Sequence, residues 1–213
     1  TVMVLDGQAG STNSSPANLR RVNGTLYFSA SDGGNGTELW KSDGTAPGTV
    51  MVKNINPIAS ASSSPANFSH INSTLYFSAS DGTNGTELWK SDGTSAGTVM
   101  VKNINITTGS SSSPTQLAAV GTTLFFSATD GTTVGTELWK SDGTDAGTVL
   151  VKDINPTASA GSSIANMRDF NGMLYFSAND GTNGTELWRS DGSPAGTVMV
   201  MNINAGSVSS SPA

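Results

Sequence analysis

Residues 66–104 read ANFSHINSTLYFSASDGTNGTELWKSDGTSAGTVMVKNI. Four apolar bursts stand in this stretch, at 66–71, 74–80, 86–91 and 98–104, and the gaps between them hold only Asn, Asp, Gly, Ser and Thr apart from Ala96. Short runs rich in Val, Leu, Phe, Tyr, Trp and Thr, bounded by Asp-Gly and Asn-Gly, are the signal of strands joined by hairpins. No window offers ten residues at helical period without a Gly break, so the helical content is expected to be near zero. The second burst is apolar on both faces, with Leu75 and Phe77 pointing one way and Tyr76 the other. Such a strand must be covered on both sides.

The same unit recurs along the chain. Glu-Leu-Trp-(Lys/Arg)-Ser-Asp-Gly places its tryptophan at Trp40, Trp89, Trp139 and Trp188, a period of 49, 50 and 49 residues. The one extra residue falls around Thr133 and Val134, where a hairpin tip absorbs an insertion. The units run approximately 17–65, 66–114, 115–164 and 165–213, and 1–16 reads as the tail of a preceding unit. A Ser-rich connector, such as 57–64, hands each unit on to the next. Three tight hairpins and one longer crossover, with a tryptophan signature every 40 to 50 residues, predict an all-β chain. Its expected form is a β-propeller of four four-stranded blades of about 49 residues each. The alternatives are an open β-repeat solenoid or part of a larger propeller.

At these residues the chain resembles the ELWxxDGT-type repeat of bacterial secreted and cell-surface proteins. The consensus stands here at 38–45, 87–94, 137–144 and 186–193, and continues into Gly-Thr-Val at 48–50 and Asn-Ile-Asn-Pro at 54–57. The last unit departs from it, with Ser193 for Thr and Ile164 in place of the connector proline. The resemblance implies a propeller in large extracellular proteins and implies no reaction.

The ends carry a duplication. Residues 1–4 and 197–200 both read TVMV, and 1–16 and 197–212 occupy the same place in the repeat. A closed four-bladed ring needs that strand four times, and the chain supplies it five times. Three readings stand side by side: excision from a longer array, an edge strand left outside the ring, or pairing with a neighbouring subunit by strand addition.

Composition narrows the function. Of 213 residues 12% are charged, about half the usual share, and the net charge is −6. Nucleic-acid binding, which needs clustered Lys and Arg, is not expected. No apolar run approaches a membrane span. There are no cysteines, which excludes disulfides and thiolate metal sites. The Ser/Thr/Asn-rich, Lys-poor composition points to an extracellular or cell-surface location. The sequence opens on Thr1 inside a repeat and reads as a mature product or an excised segment.

Catalysis finds little support. The only histidine, His70, has Arg21, Ala119 and Asp169 at its place in the other units, the pattern of a surface position. Carboxylates recur in step at Asp32, Asp81, Asp130 and Asp180, then at Glu38, Glu87, Glu137 and Glu186, then at Asp43, Asp92, Asp142 and Asp191. The first two rows are the calcium candidates, a hard cation suited to carboxylates in Asp-Gly loops. Against this, Asp before Gly accepts backbone N–H bonds in a turn, and no loop has dense Asp-x-Asp-x-Asp spacing. The Glu row could also ring the axis, relieved by Lys41, Lys90, Lys140 and Arg189 or by a cation.

The four tryptophans read as core wedges between blades, or as sugar-stacking faces. Asn-x-Ser/Thr marks Asn13, Asn23, Asn35, Asn67, Asn72, Asn84, Asn105 and Asn183 as glycosylation candidates. The composite expectation is a non-enzymatic, extracellular structural or adhesive module without a required cofactor. It would self-assemble into a fibre or surface layer by strand addition. The alternative is a multivalent carbohydrate-binding propeller, whose partners are cell-surface glycans rather than copies of itself.

Overall fold

The computed structural model describes residues 3–4, 13–132 and 134–212. Its described elements are sixteen strands in four antiparallel four-stranded sheets, with no helix among the described residues. Sheet 1 holds β1 (Ala17–Val22), β2 (Thr25–Ser31), β3 (Thr37–Ser42) and β4 (Val50–Lys53). Sheet 2 holds β5 (Ala66–Ile71), β6 (Thr74–Ser80), β7 (Thr86–Ser91) and β8 (Val99–Lys102). Sheet 3 holds β9 (Thr115–Val120), β10 (Thr123–Ala128), β11 (Glu137–Ser141) and β12 (Val149–Lys152), and sheet 4 holds β13 (Ala165–Phe170), β14 (Met173–Asn179), β15 (Thr185–Ser190) and β16 (Val198–Met201). Each sheet is a meander in chain order, so every hairpin read from Asn, Asp and Gly is present.

The expected bounds of the first three strands of sheet 2 are met. The fourth is shorter than 98–104, because side chains claim its ends. The Thr98 hydroxyl lies 2.7 Å from the Ser91 hydroxyl and donates to the Thr94 carbonyl at 2.7 Å. At the far end, the Ile104 amide donates to a Glu87 carboxylate oxygen at 2.8 Å instead of to a ladder partner.

In every sheet a phenylalanine of the second strand sits opposite the tryptophan of the third: Phe28 and Trp40, Phe77 and Trp89, Phe126 and Trp139, Phe176 and Trp188. The core lies between sheets. Tyr27, Leu39, Val52 and Ile55 of sheet 1 pack against Leu75, Phe77, Ala79 and Trp89 of sheet 2. Tyr76, Leu88, Val101 and Ile104 of sheet 2 meet Leu124, Phe126, Ala128 and Trp139 of sheet 3. Sheet 3 offers Phe125, Leu138, Val151 and Ile154 to Leu174, Phe176, Ala178 and Trp188 of sheet 4. The second strand is therefore buried on both faces, with Leu75 and Phe77 against one neighbour and Tyr76 against the other. The first strands of successive sheets lie side by side, β1 by β5, β5 by β9 and β9 by β13.

The sequence of packing stops at sheet 4. Its residues equivalent to Val52 and Ile55 are Val200 and Ile203, which are 47% and 58% exposed. Sheet 1 does not cover them. Of the duplicated segment 1–16, residues 1–2 and 5–12 lie outside the described residues. Met3 and Val4 are exposed and belong to no strand.

Candidate functional site

The recurring glutamates accept hydrogen bonds from the chain that follows their own sheet. Glu38, Glu87, Glu137 and Glu186 are each fully buried in the third strand of their sheet. Glu87 accepts from the Ile104 amide at 2.8 Å, the Ser112 amide at 2.9 Å and the Ser112 hydroxyl at 2.6 Å. Glu38 repeats this with Ile55 and Ser63, and Glu186 with Ile203 and Ser210. One carboxylate thus holds the end of the fourth strand and the Ser-rich connector together. Charge-assisted bonds of this kind are short and strong. Burial pushes the Glu38 and Glu87 carboxyls above their ordinary value, against the pull of the Ser63 and Ser112 hydroxyls.

Glu137 differs from the others. Burial lifts it to about 7, and Asp153 adds like-charge repulsion. Asp153 stands where the other units carry Asn54, Asn103 and Asn202. Those asparagines donate to the side-chain oxygens of Asn35, Asn84 and Asn183, a bond that a carboxylate cannot make. At the outer end the order reverses, and the Ser210 hydroxyl holds Glu186 below its ordinary value.

The lysines are spent elsewhere. Lys41, Lys90 and Lys140 donate to the carbonyls of Gly93, Gly143 and Gly192 of the following sheet, each at 2.8 Å. They stitch neighbouring sheets rather than neutralise the glutamates.

The loop aspartates accept from turn donors. Asp81 accepts from the Thr83 and Asn84 amides at 2.9 and 2.8 Å and from the Asn84 side chain at 2.7 Å. Asp32 and Asp180 do the same with Asn35 and Asn183, and Asp130 accepts from the Thr132 amide and hydroxyl. The Asn35 amide holds Asp32 below the ordinary carboxylate range. Among the described residues no group of three or more His, Asp or Glu gathers as a metal cluster would.

Most glycosylation candidates carry structural bonds. Asn35, Asn84 and Asn183 close the turns just described, and Asn23 donates to Ser73 at 2.6 Å. Asn105 is buried and donates to the Ser111 carbonyl. Asn13 and Asn72 are exposed. Asn67 donates to Ser78 and, across the sheet boundary, to the Pro114 carbonyl. Sequence reasoning missed this clasp. Asn18, Asn67, Gln116 and Asn166 all take a left-handed backbone, with φ between 55° and 57°. The register of the first strand slips there in every sheet, as a bulge requires. The available signal was an amide residue at a fixed place, two after the connector proline in three units.

His70 is half-buried beside Arg20 of the neighbouring sheet, whose Nε donates to His70 Nδ1 at 3.3 Å. Burial and that guanidinium hold the imidazole below its ordinary pKa. All four tryptophans are buried.

No family model and no curated protein matches the chain. Among solved structures it is similar to a puromycin hydrolase mutant complexed with PGG, with 12% identity and a TM-score of 0.37 over 89% of this chain and 39% of the other. It is also similar to an endo-1,4-beta-xylanase from Bacteroides thetaiotaomicron, with 14% identity and a TM-score of 0.39 over 88% of this chain and 72% of the other. Both likenesses are too distant to bear on the chemistry of this chain.

Proposed function

We propose that the chain is a non-enzymatic structural or adhesive module of an extracellular, cell-surface protein, built as four contiguous blades of a β-propeller. Side-by-side first strands and cores between successive sheets support the propeller, since each blade of such a fold is buried only by its neighbours. One observation carries the functional reading: the polar side chains that recur in every sheet are engaged by the fold itself. Glutamates clip connectors, aspartates and asparagines close turns, and lysines stitch sheets. The Ser/Thr/Asn-rich, Lys-poor composition supports the extracellular setting.

The test combines a glycan array, a panel of hydrolase substrates and negative-stain images of the purified chain. The expected outcome is no turnover, no sugar binding up to millimolar concentration, and ordered assemblies. Saturable sugar binding that quenches tryptophan fluorescence would replace this reading with a multivalent carbohydrate-binding propeller. Turnover would overturn it altogether.

A further inference from the structure

The free face of sheet 4 repeats the faces that sheets 1 and 2 present to their followers, and differs from that of sheet 3 in having Tyr175 where sheet 3 has Phe125. Tyr27, Leu39, Val52 and Ile55 become Tyr175, Leu187, Val200 and Ile203. The free face of sheet 1 repeats the receiving faces of sheets 2–4, with Leu26, Phe28, Ala30 and Trp40 in place of Leu75, Phe77, Ala79 and Trp89. Leu26 and Phe28 are only half-buried, where Leu75 and Phe77 are fully buried. Leu19 beside them is 63% exposed. Together they line an open apolar groove.

Finer details fit as well. A Cβ on Gly93 would strike the Tyr27 hydroxyl, and one on Gly143 the Tyr76 hydroxyl, whereas Gly44 of sheet 1 has open space in that direction. The slot that receives a tyrosine in sheets 2 and 3 is empty in sheet 1, and Tyr175 of sheet 4 is the tyrosine without a slot. Arg189 stands where Lys41, Lys90 and Lys140 reach the next glycine carbonyl. Two complementary faces on opposite ends of one chain make a heterologous, head-to-tail contact.

We propose that sheet 4 of one copy docks on sheet 1 of a second copy, and that this contact reproduces the three interfaces inside the chain. This deepens the reading of the chain as an assembling module, and rests on it. Tyr175 enters the slot over Gly44 of the second copy, Arg189 donates to that glycine's carbonyl, and Val200 and Ile203 cover Phe28 and Trp40. Two copies bring eight sheets together, within the range of four to eight blades typical of propellers.

Two elements must yield: Val4, the counterpart of Val200, lines the groove that Val200 fills on docking, and the connector serine is duplicated. Inside the chain a single connector serine bridges two sheets: Ser63 bonds Glu38 on one side, and its carbonyl accepts from the Ser80 amide on the other. At the ends this role is split. Ser210 bonds Glu186, while the Ser14 carbonyl accepts from the Ser31 amide. On docking, the incoming Ser14 keeps its bond and gains Glu186, so Ser210 and the residues around it are displaced.

The test is sedimentation of the 213-residue chain over a concentration series, with Leu19→Asp and Ile203→Asp as separate variants. Both side chains are exposed, so neither variant disturbs the fold of one copy, which circular dichroism checks. The expected result is reversible association of the natural chain, weakened at least tenfold in either variant. An equimolar mixture of the two variants regains a 1:1 pair through the one intact contact. Deleting residues 205–213 tightens association, because the competing connector is gone. A chain that stays monomeric at every concentration would overturn the proposal. Association that persists in both variants would also overturn it, in favour of strand addition, and would leave the reading as an assembling module intact.

Discussion

Ile154 and Ile203 occupy the same place in successive sheets, yet Ile154 is 3% exposed and Ile203 is 58% exposed. Both stretches point the same apolar pair at the place of the following sheet, Val151 and Ile154 in one and Val200 and Ile203 in the other, so the difference in exposure comes from the neighbour. A propeller-like sheet owns half of each core it helps to build. Its stability, the charge state of its buried acids and the tolerance of its glycines are therefore set by whether a following sheet is present.

Three matched pairs of substitutions, inside and at the end, and one pH series sharpen this contrast. The largest effect is expected at the glutamate clip. Glu87→Ala orphans the buried amides of Ile104 and Ser112 and should cost about 3–5 kcal/mol in urea unfolding. Glu186→Ala, beside a connector held on one side only, should cost clearly less than Glu87→Ala in the same measurement. Next, Ile154→Ala should cost about 2–4 kcal/mol from lost burial and the cavity left behind. Ile203→Ala should stay within about 0.5 kcal/mol for the isolated chain. Equal losses for the two isoleucines would break the comparison.

Smaller effects follow at glycine and with pH. Gly93 and Gly44 have φ of 89° and 93°, so Ala at either position strains the backbone by about 1 kcal/mol. Only Gly93→Ala also meets the Tyr27 hydroxyl, and it should lower the melting temperature further than Gly44→Ala does. For pH, the folded Glu137 carboxyl titrates at about 7 against an ordinary 4.5. The folded state then holds its proton more tightly than the unfolded chain. The contribution is full below pH 4.5 and is lost as pH rises toward 7. Glu186 is lowered, so its contribution is present above its ordinary value and lost as pH falls below it. Urea unfolding between pH 4 and 8 should show the decline on the alkaline side flatten in Glu137→Gln. Asp153→Asn, which removes the like charge, should flatten it partly.

Much of this architecture was legible before any coordinates. The Asn, Asp and Gly punctuation marks the first three strands of sheet 2 to the residue, and the two-sided apolar pattern of 74–80 announces neighbours on both faces. The clasp at Asn18, Asn67 and Asn166 was not legible, because an asparagine in a left-handed bulge reads like any turn asparagine. The glutamate row is ambiguous in sequence for a related reason. A carboxylate that recurs in step looks like a ligand or a ring, and the backbone amides it accepts from leave no mark in a sequence. The open end was hidden too, since sheet 4 carries the same apolar code as sheets 1–3 whether or not anything covers it.

Hydrogen exchange followed by mass spectrometry, run on the full chain across a hundredfold range of concentration, reads that open end directly. Amides of β16 and of the turn around Gly44 should exchange quickly when dilute and approach the protection of β8 and Gly93 when concentrated. Exchange at β16 and Gly44 that is independent of concentration, beside well-protected interior sheets, would contradict the equivalence of the end faces and the interior ones.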